Sequence, residues 1–205
     1  MGLDAARLKA GLDALAAQEP RIAAALERTG YPEPRSRMAG YATLARTIVG
    51  QQVSVKAADA VWTKLHGIAG DAEVPAALLV LSDEDLRSAG LSRQKAGYLR
   101  SLAGLTHSGE LDFDNLPADD EAAIALLTSV KGIGRWSAEV YLLFAEGRSD
   151  IWPAGDLAVQ IELGRIMGLD VKPSEKLTRE LAEPWRPHRG AAAVFMWHHY
   201  KTVVI

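Results

Sequence analysis

The sequence of 205 residues contains no cysteine. Without cysteine the chain can form no disulfide bond, no thiolate nucleophile, no cysteine zinc site and no iron–sulfur cluster. Any chemistry must therefore come from carboxylates, histidines and backbone groups. The sequence also lacks any run near the roughly eighteen consecutive apolar residues that a membrane-spanning helix requires. We therefore expect a protein of the bacterial cytosol or nucleoid that does not enter a membrane.

An excess of positive charge is also missing, because the formal net charge is -3 at pH 7. Proteins that coat nucleic acid through bulk electrostatics usually have a strongly basic balance, so the composition does not favour that class. Two segments, 34–58 and 86–107, nevertheless carry arginine and lysine and no acidic residue, whereas acids collect in residues 110–121. The pattern predicts either one basic and one acidic face or ordinary solvated helix faces, and the sequence favours neither.

Strand signals are scarce, and helical signals dominate. No pair of alternating apolar and polar runs is joined by a hairpin turn, so no sheet is required. Alanine and leucine recur at helical spacing. The helices predicted in this way cover residues 3–17, 21–28, 41–49, 55–66, 91–106 and 122–130. With 48% hydrophobic residues, the chain can bury a core as one domain or two packed lobes, and we expect an all-α fold.

Residues 129–144 read SVKGIGRWSAEVYLLF and predict two helices joined by a hairpin. The first helix ends near Val130, and the hairpin contains Gly132 and Gly134. We expect the second helix to begin around Ser137, whose hydroxyl is suited to an N-cap.

An apolar anchor and two cations accompany the hairpin. Ile133 is expected to bury its side chain and so to fix the direction of the neighbouring amides. Those amides, at the start of a helix, form an anion site flanked by Lys131 and Arg135. This arrangement predicts the binding of one phosphodiester of a nucleic-acid strand without sequence preference. The alternative is that the glycines only turn a corner between two helices.

Residues 150–156 read DIWPAGD and precede another predicted helix. Asp156 occupies the expected N-cap of that helix, and capping alone would explain an aspartate there. A tryptophan, a proline and a glycine give the loop before it a rigid, apolar character. A carboxylate held there beside a helix N-terminus stays ionised and can stabilise a developing cation. Asp150 is the nearest rival carboxylate, but no helix begins behind it.

KGIGRWSAEVYLLF followed by PAGD resembles the helix-hairpin-helix (HhH-GPD) DNA glycosylases, whose signature is this hairpin, a Gly/Pro-rich loop and a catalytic aspartate. The resemblance extends to LARTIVGQQVSVKAADAVWTKL, GLSRQKAGYLRSLA and WRPHRGAAAVFMWHHY, from about Tyr41 onward. Within that family the chain is most similar to the 3-methyladenine DNA glycosylase II group. The resemblance implies one glycosylase domain with two helical lobes, 43–130 and 1–42 plus 131–205, and an active site between them.

The resemblance also implies a reaction. Lyase-competent members of the family carry a lysine where this chain has Trp136, so no amine is available there for a Schiff base. What remains is a monofunctional, metal-independent hydrolase that removes alkylated purines, of the 3-methyladenine and 7-methylguanine class, from double-stranded DNA and leaves an abasic site. In this role Asp156 would stabilise an oxocarbenium-like sugar and orient or deprotonate the attacking water.

The remaining site residues fall into three groups. The candidates for the base pocket are Trp136, Tyr141, Trp62, Trp152 and Trp197, of which Trp136 fits a pocket as well as a core and the others fit a core better. The candidates for phosphate binding are Lys131, Gly132, Gly134, Arg135, Ser137, Arg93 and Lys95. The candidates for the wedge that fills the gap left by a flipped base are Gln51, Gln52 and Val53. Gln52 replaces a leucine of the long bacterial enzyme, and both glutamines fit equally well as caps or bridges between helices.

We expect no cofactor and no metal site, because surface or packing roles suit His188, His198 and His199 better. The one ion left open is a structural monovalent cation at the hairpin. The expected partner of this monomer is double-stranded DNA containing alkylated bases. Two other functions stay open: a non-catalytic helix-hairpin-helix DNA-binding module, and a helical enzyme for small molecules with an anion-binding turn.

Overall fold

The computed structural model describes residues 3–204 and contains no strand among them. The helices are α1 Ala5–Gln18, α2 Pro20–Thr29, α3 Tyr41–Gly50, α4 Val55–Ala69, α5 Pro75–Leu79, α6 Asp83–Ser88, α7 Arg93–His107, α8 Asp120–Thr128, α9 Arg135–Tyr141, α10 Leu157–Met167, α11 Glu175–Ala182 and α12 Arg189–Val204. A π-helical turn, Leu142–Glu146, continues α9, and a 3-10 turn, Glu183–Trp185, follows α11. The all-α prediction is confirmed, with a helix at each of the predicted positions.

The chain divides into two compact units. One unit consists of residues 38–138, and the other consists of residues 3–37 together with 139–204. The sequence placed the limits of the inserted lobe at 43 and 130, whereas the unit in the structure begins before α3 and ends within α9.

In the unit of residues 38–138, α3 packs against α4 and α7, and α5 packs against α7. Fully buried leucine and isoleucine side chains fill the space between these helices, which explains why apolar residues recur along each of them. Polar caps set where the helices begin. Ser92 accepts a hydrogen bond from the amide of Lys95, and Ser82 forms a reciprocal capping box with Asp85.

In the unit of residues 3–37 and 139–204, α12 is the central helix and packs against α1, α2 and α10. Close approach to α12 requires small residues. A Cβ atom on Gly11 of α1 would lie 2.9 Å from the Cβ of Ala191. The amide of Gly190 donates to the carbonyl of Ser149 at 2.7 Å, a contact that leaves no room for a side chain on this glycine. The second contact fixes Ser149 against the start of α12.

The helix after the hairpin begins earlier than predicted. Its first residue is Arg135, and the amide of Ala138 already donates to the carbonyl of Gly134 at 3.1 Å. Ser137 therefore lies inside α9 and does not cap it. The reason is that glycine is itself an acceptable N-cap, so a hydroxyl three residues after Gly134 was not needed.

Candidate active site

Asp156 is the N-cap of α10, as the sequence predicted. Its Oδ1 atom accepts hydrogen bonds from the amide of Val159 at 3.0 Å and from the indole Nε1 of Trp197 at 3.1 Å. The carboxylate is half-buried. One donor comes from its own helix and the other from α12, so two elements of the same unit fix the plane of the carboxylate.

Trp152 anchors the loop that leads to Asp156. Its side chain is 3% exposed, its Nε1 donates to the carbonyl of Thr178 at 3.0 Å, and its ring meets that of Trp185 edge to face with centroids 5.8 Å apart. Within the loop, the amide of Asp156 donates to the carbonyl of Pro153 at 2.9 Å. The structure therefore places Trp152 in the core beneath the loop rather than on a surface that a base could reach.

Side chains from following helices hold two carbonyl groups of this loop. Gln160 donates to the carbonyl of Ala154 at 2.8 Å, and Arg179 donates to the carbonyl of Trp152 at 3.4 Å. Arg179 also bonds to the buried carboxylate of Glu139 at 3.2 Å. No motif in the sequence pointed to Gln160, Arg179 or Glu139. Only the position of Gln160 could have suggested its contact with the loop. Gln160 lies one helical turn after Asp156, and side chains on a helix point back towards its N-terminus.

Asp150, the rival carboxylate, is enclosed by two arginines. Arg189 contacts both carboxylate oxygens at 2.9 Å, and Arg186 contacts Oδ2 at 2.5 Å. Arg189 also donates to the backbone carbonyl of Asp150 at 3.1 Å. Since the Asp150 carboxylate is occupied by fixed cations, its role is to tie the loop to the start of α12. Asp156, in contrast, stands at the N-terminus of α10.

The other aromatic candidates occupy different surroundings. Trp197 packs beside Phe144, with ring centroids 5.5 Å apart, and Tyr141 is almost fully buried. In the unit of residues 38–138, Trp62 is 5% exposed and the guanidinium of Arg46 lies 4.5 Å from its ring centroid. That cation covers a face of the ring, which favours a core role for Trp62. Trp136 is 48% exposed and presents its indole at the surface of α9.

The two hairpin glycines differ in what surrounds them. Gly132 has φ +83°, and a Cβ atom there would lie 2.1 Å from the ring of Tyr98. No atom lies within 4 Å of a Cβ built on Gly134. Ile133 is 4% exposed and anchors the turn as predicted. Gly132 is thus explained by packing within the protein, whereas Gly134 leaves open space before α9.

The cations predicted near the hairpin have different partners. Lys131 is exposed, and its backbone amide donates to the hydroxyl of Ser101 at 3.1 Å. Arg135 forms an ion pair with Glu121, in which Nη1 and Oε2 are 2.8 Å apart. A phosphate that approached the hairpin would therefore meet the ammonium of Lys131 and a guanidinium already partly neutralised.

The predicted wedge segment follows α3. Gln51 donates from Nε2 to the carbonyl of Gly132 at 2.9 Å, which links this segment to the hairpin. Gln52 is exposed and has φ 56°, a left-handed conformation that is uncommon for a residue with a side chain. Val53 is 45% exposed. Gln51 therefore bridges two elements, while Gln52 and Val53 project outward.

Lys95 and Arg93, both predicted to bind phosphate, have different surroundings. Arg93 is exposed at the start of α7. The ammonium of Lys95 donates to the carbonyl of Val49 at 2.7 Å, at the end of α3, and burial lowers its pKa. The structure therefore gives Lys95 a cap role for α3, which the sequence could not indicate because the partner lies 46 residues away.

The histidines bind polar groups within their own unit. His198 donates from Nε2 to the carbonyl of Thr29 at 2.9 Å, and the buried His199 donates from Nδ1 to Glu162 at 2.5 Å. Across residues 3–204, no group of three histidine, aspartate or glutamate side chains is arranged to hold a metal ion. Over the same residues, no helix combines the length and apolar character needed to cross a membrane.

Comparison with known proteins decides the family. Residues 45–187, well over half of the chain, match the family described as HhH-GPD superfamily base excision DNA repair protein. The chain belongs to this superfamily. The match spans the wedge segment, the hairpin and Asp156, whereas Trp197 lies beyond its end.

Three relatives illustrate the likeness. DNA-3-methyladenine glycosylase 1 of Schizosaccharomyces pombe is 31% identical over 166 residues, which cover 77% of this chain and 71% of that protein. The crystal structure of a DNA-3-methyladenine glycosidase from Bacillus halodurans superposes with a TM-score of 0.87 at 32% identity, covering 95% of this chain and 90% of the other. A 3-methyladenine DNA glycosylase of S. pombe in complex with abasic DNA gives a TM-score of 0.76 at 28% identity, covering 95% of this chain and 97% of the other.

Proposed function

We propose that this chain is a monofunctional DNA glycosylase that hydrolyses the N-glycosidic bond of alkylated purines in double-stranded DNA and leaves an abasic site. The observation that carries the proposal is the carboxylate of Asp156, held at the N-terminus of α10 by hydrogen bonds from Val159 and Trp197. The names of the relatives, which include 3-methyladenine glycosylases over most of this chain's length, support the alkylated purine as substrate.

The first step of the proposed reaction is extrusion of the damaged nucleotide. Bases are stacked inside duplex DNA, so the enzyme must flip the target out, at a cost of a few kcal/mol that is smallest for a weakly paired base. An alkylated purine such as 3-methyladenine carries positive charge and is attracted to the face of an aromatic ring. The exposed indole of Trp136 is suited to that contact. Gln52 and Val53 are the exposed side chains that we assign to the gap in the duplex.

The second step is departure of the base. The C1′–N bond breaks, its electron pair leaves with the already cationic purine, and the sugar becomes oxocarbenium-like. The negative charge of Asp156 stabilises this cation. A water molecule then attacks C1′, and its proton passes to the carboxylate or to solvent. Because Trp197 and Val159 fix the orientation of the carboxylate before the reaction, little reorganisation is required.

Binding of the DNA backbone is assigned to the hairpin. The open space at Gly134 lets a phosphate reach the amides at the start of α9, and Lys131 supplies an exposed positive charge. Such contacts do not depend on base sequence, as a repair enzyme requires. The same proposal makes double-stranded DNA with alkylated bases the partner of a monomeric enzyme without a cofactor.

The proposal includes that the enzyme has no lyase activity. Trp136 stands where lyase-competent family members carry a lysine, so no amine is placed to form a Schiff base with the sugar. The product should therefore be an intact strand with an abasic site.

The test is incubation with methylated duplex DNA, followed by identification of the released bases by liquid chromatography and gel analysis of the DNA with and without alkali. We expect free 3-methyladenine or 7-methylguanine, with strand breaks only after alkali. Breaks before alkali would contradict the monofunctional assignment. DNA binding without any released base would contradict the glycosylase assignment.

A further inference from the structure

A nearly buried amide links the loop before Asp156 to a lysine on the following segment. Gln160 is 7% exposed, and its Nε2 donates to the carbonyl of Ala154 at 2.8 Å. Its Oε1 accepts from the ammonium of Lys172 at 2.5 Å. A carbonyl oxygen can only accept and an ammonium can only donate, so these two partners admit one orientation of the amide. Lys172 and the Ala154 carbonyl together hold Nε2 of Gln160 towards the loop and Oε1 towards the ammonium.

Packing against α10 brings Lys172 to this position. Gly164 lies one turn after Gln160, and a Cβ atom there would lie 3.0 Å from the ring of Pro173. The lack of a side chain on Gly164 lets residues 171–173 lie directly on the helix. Pro173 is buried, whereas Lys172 as a whole is exposed. The lysine thus directs its charge inward to an amide rather than outward to an acidic side chain.

The Ala154 carbonyl belongs to the peptide bond that precedes Gly155, one residue before Asp156. A glycine at 155 adds conformational freedom to this point of the loop, so the direction in which the chain enters α10 is not set by local sterics alone. The hydrogen bond from Gln160 restricts the rotation of this peptide unit. It therefore restricts the backbone from which the Asp156 carboxylate projects towards Trp197.

We propose that Lys172 is a positioning residue for Asp156: by fixing the amide of Gln160 it holds the Ala154 carbonyl and keeps the Asp156 carboxylate in the plane that Trp197 and Val159 define. Lys172 does not touch the substrate or the reacting atoms in this assignment. The effect on catalysis rests on the proposed function of Asp156, whereas the effect on the geometry of Asp156 does not. A displacement of about 1 Å at a reacting group can cost up to about a hundredfold in rate.

The experiment compares three variants with the wild-type protein. Lys172→Met removes the charge and keeps the stem, Lys172→Arg keeps a charged donor, and Lys176→Met is the matched control. Lys176 is a solvent-exposed lysine on α11 whose ion pair with Glu180 is long, at 3.9 Å. Two quantities are measured: the single-turnover rate of 3-methyladenine release from methylated duplex DNA, and the ¹⁵N–¹H resonance of the Trp197 indole, assigned by its loss in Trp197→Phe. Affinity for an abasic-site duplex and the thermal unfolding midpoint are recorded for each protein.

We expect Lys172→Met to shift the Trp197 indole resonance and to lower the release rate about tenfold, with affinity for abasic DNA within about twofold of wild type. Lys172→Arg should recover at least about a third of the wild-type rate, and Lys176→Met should change neither quantity. An unshifted indole resonance in Lys172→Met would overturn the positioning role, as would an equal loss of rate in Lys172→Arg. If wild-type protein releases no base while the resonance shifts as expected, the proposed function fails and the positioning of Asp156 by Lys172 stands.

Discussion

Three aspartates of this protein show how surroundings decide the role of one side chain. Asp119 and Asp156 are both helix N-caps, and each accepts from the amide three residues later. Asp156 differs in having an indole donor from a distant helix, whereas Asp119 is exposed. Asp150 is closed off by Arg186 and Arg189. The sequence could rank Asp156 above Asp150 from the helix start that follows it, but it could not reveal the arginine pair, because these partners lie 36 and 39 residues away.

At the same scale, we predict that Trp197→Phe slows base release. The substitution keeps an aromatic ring against Phe144 and removes the N–H that donates to Asp156 Oδ1. A hydrogen bond to a charged group contributes about 1.5–3 kcal/mol, so the single-turnover rate should fall at least about tenfold. The measurement is the rate of 3-methyladenine release at saturating enzyme. An unchanged rate would mean that the carboxylate does not need this donor.

Among the secondary-structure elements, the hairpin between two helices was predicted correctly, but the first residue of its second helix was not. The two glycines, the buried Ile133 and the helix on either side follow from spacing and turn chemistry. Spacing and turn chemistry could not predict the start of α9 at Arg135 or the contact of Gly132 with Tyr98. Both depend on how the hairpin packs on α7. Sequence reasoning assigned one role to both glycines, whereas the structure separates them.

This difference predicts that alanine at Gly132 mainly lowers stability, whereas alanine at Gly134 mainly weakens DNA binding. Gly132→Ala places a methyl group into the ring of Tyr98 at positive φ and should lower the free energy of unfolding by at least about 2 kcal/mol. Gly134→Ala meets open space and should cost less than about 1 kcal/mol of stability. It should instead weaken binding to duplex DNA about tenfold, because the methyl group occupies the approach of a phosphate.

Chemical denaturation and a DNA-binding titration, done on both variants, measure these effects. Equal losses of stability would show that Gly134 is also required by packing. Unchanged DNA affinity in a stable Gly134→Ala protein would remove the hairpin from the proposed DNA interface.

At the scale of the whole molecule, the fold class followed from the sequence because helical periodicity and capping residues are local signals. The hydrogen bonds and ion pairs between segments far apart in the sequence could not be predicted. Lys95 was assigned to phosphate from its position in a basic run, yet its charge caps α3. Arg179, Gln160 and Lys172 support the Asp156 loop, but none belongs to a motif of adjacent residues. A net charge of -3 likewise does not reveal that the segments 34–58 and 86–107 carry cations and no acidic residue.

The central claim is that the charge of Asp156, rather than its role as a cap, drives base release. Asparagine caps a helix as well as aspartate does, so Asp156→Asn and Asp119→Asn should both fold with near wild-type stability. The decisive measurement is the single-turnover release of 3-methyladenine from methylated duplex DNA by the two variants. We predict a loss of at least about a hundredfold for Asp156→Asn, with binding to abasic DNA largely retained, and no loss for Asp119→Asn. Release by Asp156→Asn at the wild-type rate would contradict the account.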